Sequence, residues 1–314
     1  MTRRVWTRFW PTYRDQPALL ATLGNQANLV EKIVQRGGLL QMEILGGSPL
    51  PEHFLPVIMS YRHALELLAA ISALIRASGV DPCKILLRCV FEALLSTEYI
   101  LEEDTEKRGM AFLVCHVQQR MRLYEKVDPS TEPGRSWREN VRRDKSLKGF
   151  EFARIPDCQP FRERLSRVLT SPNYADAARE YERLRREKRH RPRWYQLFGG
   201  PANLEEMSRR LNSLAVYDQI YRNWSGAVHG TDLLAGRLQK GESGTADIAN
   251  INLVSEGPTV TLVSVALGLR MLRNMIQKFG SEDDLKFHGG WYQYHIQEEQ
   301  GALRKATSSD DFRF

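Results

Sequence analysis

The stretch from Val216 to Asp232 contains residue types that could do chemistry, at a regular spacing. Arg222, Ser225 and His229 are three and four residues apart, and Tyr221 lies one turn before Ser225. On a helix these side chains share one face, where a helical bundle normally buries apolar residues. Histidine ionises near neutral pH, which suits it to proton transfer, and the planar guanidinium of arginine suits phosphate oxygens. The polar face therefore indicates either a functional site or a structural seam that pairs with nearby carboxylates.

The order of these residues resembles a known signature. Arg222 and Asn223 followed by His229 are similar to the R-x(4–6)-H motif of the HEPN superfamily, small helical nucleotide- and RNA-binding proteins of prokaryotes and higher eukaryotes. The wider pattern Tyr-Arg-x-x-Ser-x-x-x-His-Gly, with Arg88-x-x-x-Glu92 on an earlier apolar stretch, resembles a bacterial family of unknown function that carries this helical domain. The resemblance covers about 60–105 and 203–280 and leaves out the rest of the chain.

The resemblance implies a metal-independent endoribonuclease that needs no cofactor. His229 would move a proton at the 2′-hydroxyl or the leaving oxygen, and Arg222 would stabilise the charge on the scissile phosphate. Tyr221, Asn223 and Ser225 would support this pair. The resemblance also implies RNA as partner and a role as a toxin or anti-phage effector, with an antitoxin or regulatory protein that restrains it. The competing interpretation is a non-catalytic RNA- or nucleotide-binding or regulatory module.

The spacing of the pair has a geometric consequence. Seven residues along an α-helix correspond to a rise of roughly 10 Å, so Arg222 and His229 of one chain do not readily reach one phosphate. Long side chains, a break at Gly226 or a second subunit could close this gap. Because HEPN families commonly place two motifs across a shared groove, the resemblance implies a homodimer.

Arg88 and Glu92 are the only charged residues between Ile85 and Leu95. Their i,i+4 spacing on an otherwise apolar helix predicts a buried ion pair, which is costly to desolvate unless further polar groups are near. The alternative is that Glu92, with Tyr99, orients the arginine or histidine of the motif.

The positive charge of the chain is concentrated in one segment, residues 135–193, which carries eighteen Lys and Arg against nine Asp and Glu. The remaining chain has 27 against 29, and aromatic residues such as Trp137 are interleaved with the basic ones. This composition predicts a phosphate-binding surface. The predicted nucleic-acid contacts are Arg142, Arg143, Arg183, Arg185, Arg186, Arg189, Arg191 and Arg193. The alternative is a solvated helix, because glutamates at 180, 182 and 187 alternate with these arginines.

The elements that must position these residues are helical. Apolar residues recur at three- and four-residue spacing over 17–35, 52–77, 83–101, 105–127, 203–213, 213–236, 259–279 and 282–303, and Gly37-Gly38 predicts the end of the first helix. We predict an all-α, HEPN-like bundle with a mostly helical basic insertion and a short hairpin near 246–256. The predicted divisions are an N-terminal extension (1–50), a first half of the bundle (51–128), the insertion (129–200), a second half (201–280) and a C-terminal tail (281–314).

Composition and motifs exclude several classes of protein. The chain has 42% hydrophobic and 26% charged residues, as in an ordinary globular protein. No P-loop, dinucleotide-binding or nucleophile-elbow motif is present, and the four cysteines have no zinc-site spacing. We find no uninterrupted apolar run of about 18 residues, so no membrane span is expected and the predicted location is cytoplasmic.

Overall fold

The computed structural model describes residues 16–151, 157–188, 190–224, 226, 238–240, 246–248 and 254–309. The described residues are all-α apart from one short hairpin. The α-helices are α1 (Pro17–Leu45), α2 (Leu55–Arg76), α3 (Val80–Glu102), α4 (Thr105–Val127), α5 (Glu132–Arg143), α6 (Gln159–Thr170), α7 (Pro172–Lys188), α8 (Leu204–Arg210), α9 (Leu214–Tyr217), α10 (Gly257–Phe279), α11 (Glu282–His295) and α12 (Gln297–Ser309). Short 3₁₀ helices cover Glu52–Phe54, Lys145–Leu147 and Trp194–Gly199, and a π-helical turn covers Asp218–Asn223.

The hairpin pairs β1 (Leu238–Lys240) with β2 (Ala246–Ile248) in antiparallel register. The predicted hairpin near 246–256 thus contains the second strand, and the first strand precedes that range. Most of the remaining predicted range lies outside the described residues.

The chain divides into two compact units. The first comprises the described residues of Met1–Leu50, Val57–Leu101 and Leu204–Phe314, and the second comprises Pro51–Pro56 and Glu102–Asn203. The predicted insertion begins at 129, whereas the second unit also contains helix α4. The reason is packing, because the apolar face of α4 forms a core with α7.

In the first unit, helices α1, α2, α3 and α10 share one core. The Tyr61 hydroxyl on α2 donates a buried hydrogen bond to the Gly37 carbonyl on α1, at 2.9 Å. Gly268 on α10 lies against Ile33 and Leu68, so that a Cβ placed there would come within 2.5 Å of the Ile33 Cγ2 atom. These close approaches bring α1, α2 and α10 together.

Gly37 and Gly38 do not end the first helix, contrary to the sequence prediction, because α1 continues to Leu45. Gly37 contributes to helix packing rather than to helix termination. A Cβ at Gly37 would lie 2.4 Å from Leu65 Cδ2, so a larger residue there would force the Leu65 side chain of α2 to move. The helix therefore tolerates the low helical propensity of glycine in return for this contact.

The second unit has its own apolar core. Its buried residues come from α4, α7 and the Trp194–Gly199 segment: Met110, Ala111, Val114, Val117, Tyr174, Ala177, Tyr181, Leu184 and Leu197. Helix α4 also contacts the Glu52–Phe54 turn, since a Cβ at Gly109 would come within 2.1 Å of the His53 carbonyl oxygen. The basic segment, which has few aliphatic residues of its own, obtains a core by packing on α4.

Within the part of the chain that the structure describes, two helical stretches, Glu52–Arg76 and Gly257–Phe279, have the length and mean hydropathy of a membrane span. The most apolar windows of the two are 44% and 56% buried within the protein. Core helices of soluble proteins meet the same criteria, so these stretches are only a weak indication of a membrane protein.

The packing around Gly268 generates a stability prediction. We expect Gly268→Ala to lower the unfolding free energy by about 1–3 kcal/mol, because the new methyl group overpacks a buried contact. Gly24→Ala is the matched control, since that helical glycine has nothing within 4 Å of its Cβ position. The control should raise stability by about 0.5–1 kcal/mol through helical propensity. Thermal and urea unfolding of both variants measure the difference, and an equal response at the two positions would contradict the close packing.

Candidate functional site

The motif arginine lies on a segment whose geometry departs from the predicted helix over 213–236. After α8, Asn212 adopts a left-handed conformation with φ of 52°, and α9 begins at Leu214. The chain then forms the π-helical turn Asp218–Asn223 instead of continuing as an α-helix. Ile220 and Trp224 are both buried, so the turn keeps its apolar side chains in the core. Single π-helical turns occur frequently at functional sites.

A polar network fixes the start of this segment. The Arg270 guanidinium on α10 donates to both carboxylate oxygens of Glu98 on α3, at 2.6 and 2.5 Å, and to the Ser213 hydroxyl at 2.6 Å. The Asn274 amide donates a third hydrogen bond to Glu98, at 2.8 Å. A bidentate arginine–carboxylate pair is directional, so this network sets the position of Ser213, the residue directly before α9.

Two arginines flank a stacked pair of tyrosines. The rings of Tyr217 and Tyr221 lie 4.9 Å apart with an interplanar angle of 15°. The Arg88 guanidinium lies over the Tyr221 ring at 4.1 Å, and the Arg222 guanidinium lies 5.6 Å from the Tyr217 ring centre. The π-helical turn explains the second contact, because it brings residue i+5 close to residue i. The candidate site is thus a stack in the order Arg88, Tyr221, Tyr217, Arg222, which we call the Arg–Tyr stack.

Arg222 is exposed, with 54% of its side chain accessible, and two carboxylates hold it. Its guanidinium nitrogens lie 2.8 Å from Glu205 on α8 and 2.8 Å from Asp218 one turn earlier. The hydrogen bond to Glu205 and the charge of Asp218 raise the pKa of Arg222 above its ordinary value. Burial, together with the nearby Tyr221 and Glu205, raises the pKa of Tyr217. The arginine therefore stays charged, but its charge is compensated locally.

Arg88 is buried, and the predicted ion pair with Glu92 is not found among the contacts of the described residues. The Nε and Nη1 atoms of Arg88 have no hydrogen-bond partner there. Contact with the Tyr221 ring replaces the expected carboxylate, because the face of an aromatic ring attracts a cation. Glu92 is half-buried on the next turn of α3. Tyr99, further along α3, contacts the Arg210 guanidinium at 5.5 Å.

The structure brings together only part of the predicted site. Tyr221, Arg222 and Arg88 belong to the Arg–Tyr stack, whereas the Asn223 amide is exposed and donates to Gln219 at 3.3 Å. Ser225, His229 and Asp232 lie outside the described residues. The relation between the motif arginine and histidine therefore stays a prediction.

The predicted nucleic-acid contacts fall into two groups. Arg143, Arg183 and Arg185 form ion pairs with glutamates three or four residues away on their own helices. Arg142, Arg186 and Arg191 are exposed and have no ion-pair partner among the described residues. Arg193 is exposed and its backbone N–H bonds to the Gln196 side chain, and Arg189 lies outside the described residues. Helix α7 therefore follows the pattern of a solvated helix for much of its charge.

Several residues of the site were not predicted. Asp218 could have been found, since it precedes Arg222 by four residues, the spacing of a helical ion pair. Tyr217 could not, because its stacking depends on the π-helical turn. Glu205 and Arg270 act from other helices, and nothing in a single sequence links them to the motif. Among the residues that the structure describes, no group of three His, Cys, Asp or Glu side chains could hold a metal ion.

Comparison with known proteins identifies the family. The chain belongs to a family of unknown function, DUF5677, which matches residues 54–245. No curated protein and no solved structure matches the chain. The expected membership in a family of unknown function is thus confirmed, and membership in the HEPN superfamily stays a prediction. The matched range includes the basic segment, which the sequence resemblance did not cover.

The Arg–Tyr stack generates a prediction on stability. We expect Tyr221→Leu to destabilise the protein more when Arg88 is present than in an Arg88→Met background, with a coupling of about 1–2 kcal/mol. The reason is that leucine removes the ring that faces the buried guanidinium. Tyr221→Phe is the control, because it keeps the ring and should show little coupling. Urea unfolding of the single and double variants measures this, and equal losses in both backgrounds would rule out the contact.

Proposed function

We propose that this protein is a metal-independent endoribonuclease of the HEPN type. The observation that supports the proposal is the exposed guanidinium of Arg222 on a π-helical turn, at one end of the Arg–Tyr stack. An exposed arginine held in a fixed direction can meet a phosphate without a large rearrangement. If Arg222 had only a structural role in the bundle, we would expect its guanidinium to be buried.

The proposed chemistry follows from the residue types. His229 accepts the proton of a ribose 2′-hydroxyl, the 2′-oxygen attacks phosphorus, and the 5′-oxygen leaves with a proton from a general acid. Arg222 stabilises the additional negative charge on the phosphate oxygens in the transition state. The products are a 2′,3′-cyclic phosphate and a 5′-hydroxyl end. No metal ion or cofactor takes part in this proposal.

We further propose a homodimer as the active form, because a site shared by two chains is what the HEPN resemblance implies. A cellular role as a toxin or anti-phage effector in the cytoplasm, restrained by a partner protein, rests on the family resemblance alone.

The first test is cleavage of total cellular RNA by the purified full-length protein in EDTA. We expect Arg222→Ala and His229→Ala each to lower the rate by about 10²- to 10⁴-fold, because each removes a group that acts in the transition state. Arg62→Ala is the matched control, since Arg62 is similarly exposed and pairs with a carboxylate at i+4, on α2. This control should cleave like the wild type.

Circular dichroism must show that the variants are folded. If the two inactive variants share one site across a dimer, mixing them should restore part of the activity, because one composite site keeps both residues.

Absence of cleavage by the wild type would reject the endoribonuclease and leave the non-catalytic RNA- or nucleotide-binding module. The observation that favours this second candidate is the local compensation of Arg222 by Glu205 and Asp218.

The two carboxylates generate a separate prediction. A phosphate must compete with Glu205 and Asp218 for the guanidinium, so we expect Glu205→Gln and Asp218→Asn each to lower the KM for a short RNA by about two- to fivefold. Kinetics with a labelled oligonucleotide measure the change, and neither substitution should matter in an Arg222→Ala background. A fall in kcat with unchanged KM would instead show that the carboxylates position Arg222 for the reaction.

A further inference from the structure

Helix α1 carries large apolar side chains on its solvent side near its C-terminal end. Leu39, Met42 and Leu45 are 53%, 67% and 59% exposed, although the opposite side of the same turns is buried through Leu40 and Ile44. A single exposed leucine is ordinary in a folded protein, but a contiguous apolar patch marks a contact surface. The outer side of α1 is therefore apolar beyond the needs of the core of the first unit.

The neighbouring helix α11 extends this surface. The Phe287 ring is 61% exposed, and the Arg36 guanidinium on α1 lies 5.2 Å from its centre. Because Arg36 precedes Leu39 by three residues, the ring lies along the same side of α1 as Leu39. Both helices belong to the first unit. We call Leu39, Met42, Leu45 and Phe287 the α1–α11 patch.

The size of the α1–α11 patch can be compared with the needs of a protein interface. At roughly 150–200 Å² for a fully exposed side chain of this size, the four residues together expose about 400 Å². A standard interface buries roughly 800 Å² per partner, of which rather more than half is apolar. The patch thus supplies most of the apolar area that a stable pair of proteins requires.

The patch carries little net charge. The segment from Gly37 to Leu45 contains one charged residue, Glu43, whose carboxylate lies 3.3 Å from Arg36 Nη1. Next to Phe287, Lys286 pairs with Asp283 at 3.1 Å. Charged residues are depleted at the centres of protein interfaces, and methionine and aromatic residues are enriched there. The composition therefore favours a protein partner over a phosphate backbone.

Gly38 makes an open notch in this surface. It shares one stripe of the helix with Met42 and Leu45, at i, i+4 and i+7. A Cβ at Gly38 would have nothing within 4 Å, whereas a Cβ at Gly37 would contact Leu65. Gly38 therefore does not serve close packing within the chain, and the space beside it is free for a side chain of another molecule.

The stripe is complementary in shape to a second copy of itself. Gly38 and Met42 lie two residues on either side of residue 40. If two α1 helices pack antiparallel and cross there, the Met42 side chain of each copy meets the Gly38 notch of the other. A twofold axis at this point also places Leu39 beside Leu39 of the second copy, as an isologous contact requires.

The same arrangement is complementary in charge. Arg36 and Glu43 lie on one flank of α1, nearly equidistant from the crossing point. In an antiparallel pair, Glu43 of one copy is level with Arg36 of the other, so that unlike charges are neighbours. A parallel pair would instead place Glu43 beside Glu43, which is unfavourable. Charge therefore selects the antiparallel direction that the notch also requires.

We propose that two copies of this chain associate through the α1–α11 patch, as a twofold-symmetric dimer with antiparallel α1 helices that cross near residue 40. Burial of the patch stabilises the dimer, and the flanking charges fix its direction. This association does not require the endoribonuclease proposed above, because α1 carries no residue of the motif and lies outside the matched range 54–245.

Sedimentation velocity of the full-length protein over a range of concentrations tests the proposal. We expect the wild type to dimerise, and Leu39→Glu and Leu39→Lys each to raise the dissociation constant at least about 100-fold, because like charges meet at the axis. A mixture of the two variants should dimerise again, since unlike charges then meet. Misfolding could not produce this recovery, so a mixture that stays monomeric while both variants are folded would overturn the proposed axis.

The notch has a matched control on the same helix. Gly38→Leu should raise the dissociation constant by about 10- to 100-fold, because leucine fills the space that Met42 of the second copy occupies. Gly24→Leu should leave it unchanged, since Gly24 is also a glycine of α1 with nothing within 4 Å of its Cβ position, but lies far from the patch. Thermal unfolding should show both variants to be folded. Equal effects of the two substitutions on the dissociation constant would contradict a specific notch.

The oligomeric state also separates this proposal from the endoribonuclease. A wild type that stays monomeric at all concentrations would overturn the pairing and leave the patch to a different protein. A dimer that is insensitive to Leu39→Glu, Leu39→Lys and Gly38→Leu would overturn it as well, because its interface would lie elsewhere. A dimer that responds to these variants as expected but cleaves no RNA would support the pairing while rejecting the endoribonuclease.

Discussion

The contact between Arg270 and Glu98 is the interaction on which the candidate site depends. It joins α10 to α3 through two parallel hydrogen bonds, and the same guanidinium holds the Ser213 hydroxyl. Glu98 is largely buried, so removal of either charge would leave the other without its partner in a poorly solvated position. Because Ser213 directly precedes α9, this one pair sets where the π-helical turn begins. The position of Arg222 is thus determined by the core of the first unit rather than by the motif itself.

The Arg–Tyr stack gives this segment its electrostatic character. Buried Arg88 meets an aromatic face, while exposed Arg222 meets two carboxylates. An aromatic ring attracts a cation without cancelling its charge, whereas a carboxylate cancels it locally. The two arginines at the ends of the stack therefore differ. Among the described residues Arg88 forms no ion pair and contacts an aromatic ring, whereas Arg222 forms ion pairs with two carboxylates. Any anionic ligand at Arg222 must first compete with Glu205 and Asp218, and this competition, rather than the presence of the arginine, decides its affinity.

Much of the helical framework could be predicted from the sequence, because apolar periodicity reports which faces are buried. Helix α4 coincides with its prediction over 105–127, and α10 and α2 differ from theirs by a few residues. The failures have particular causes. The conformational freedom of glycine led us to predict a helix end at Gly37. In the structure, its lack of a side chain instead makes room for Tyr61 and Leu65 of α2 beside α1. The π-helical turn shifts the phase of side chains by one residue, which a search for helical spacing cannot detect. The contacts of Arg222 with Glu205 and of Arg270 with Glu98 join residues far apart in sequence, and only the tertiary structure brings them together.

The distribution of charge in the second unit shows why a local excess of basic residues does not by itself locate a binding surface. On α7 the glutamates at three- and four-residue spacing neutralise Arg183 and Arg185, so the helix is basic in composition but nearly balanced along this face. Lys126 near the end of α4 and Arg191 after α7 are exposed and form no ion pair with another residue that the structure describes. These two residues meet in one cleft because the second unit packs its basic segment on α4. The cleft, which Trp137 also lines, thus brings one arginine of the basic segment beside Arg122 and Lys126 of α4, together with the carboxylates Glu125 and Glu132.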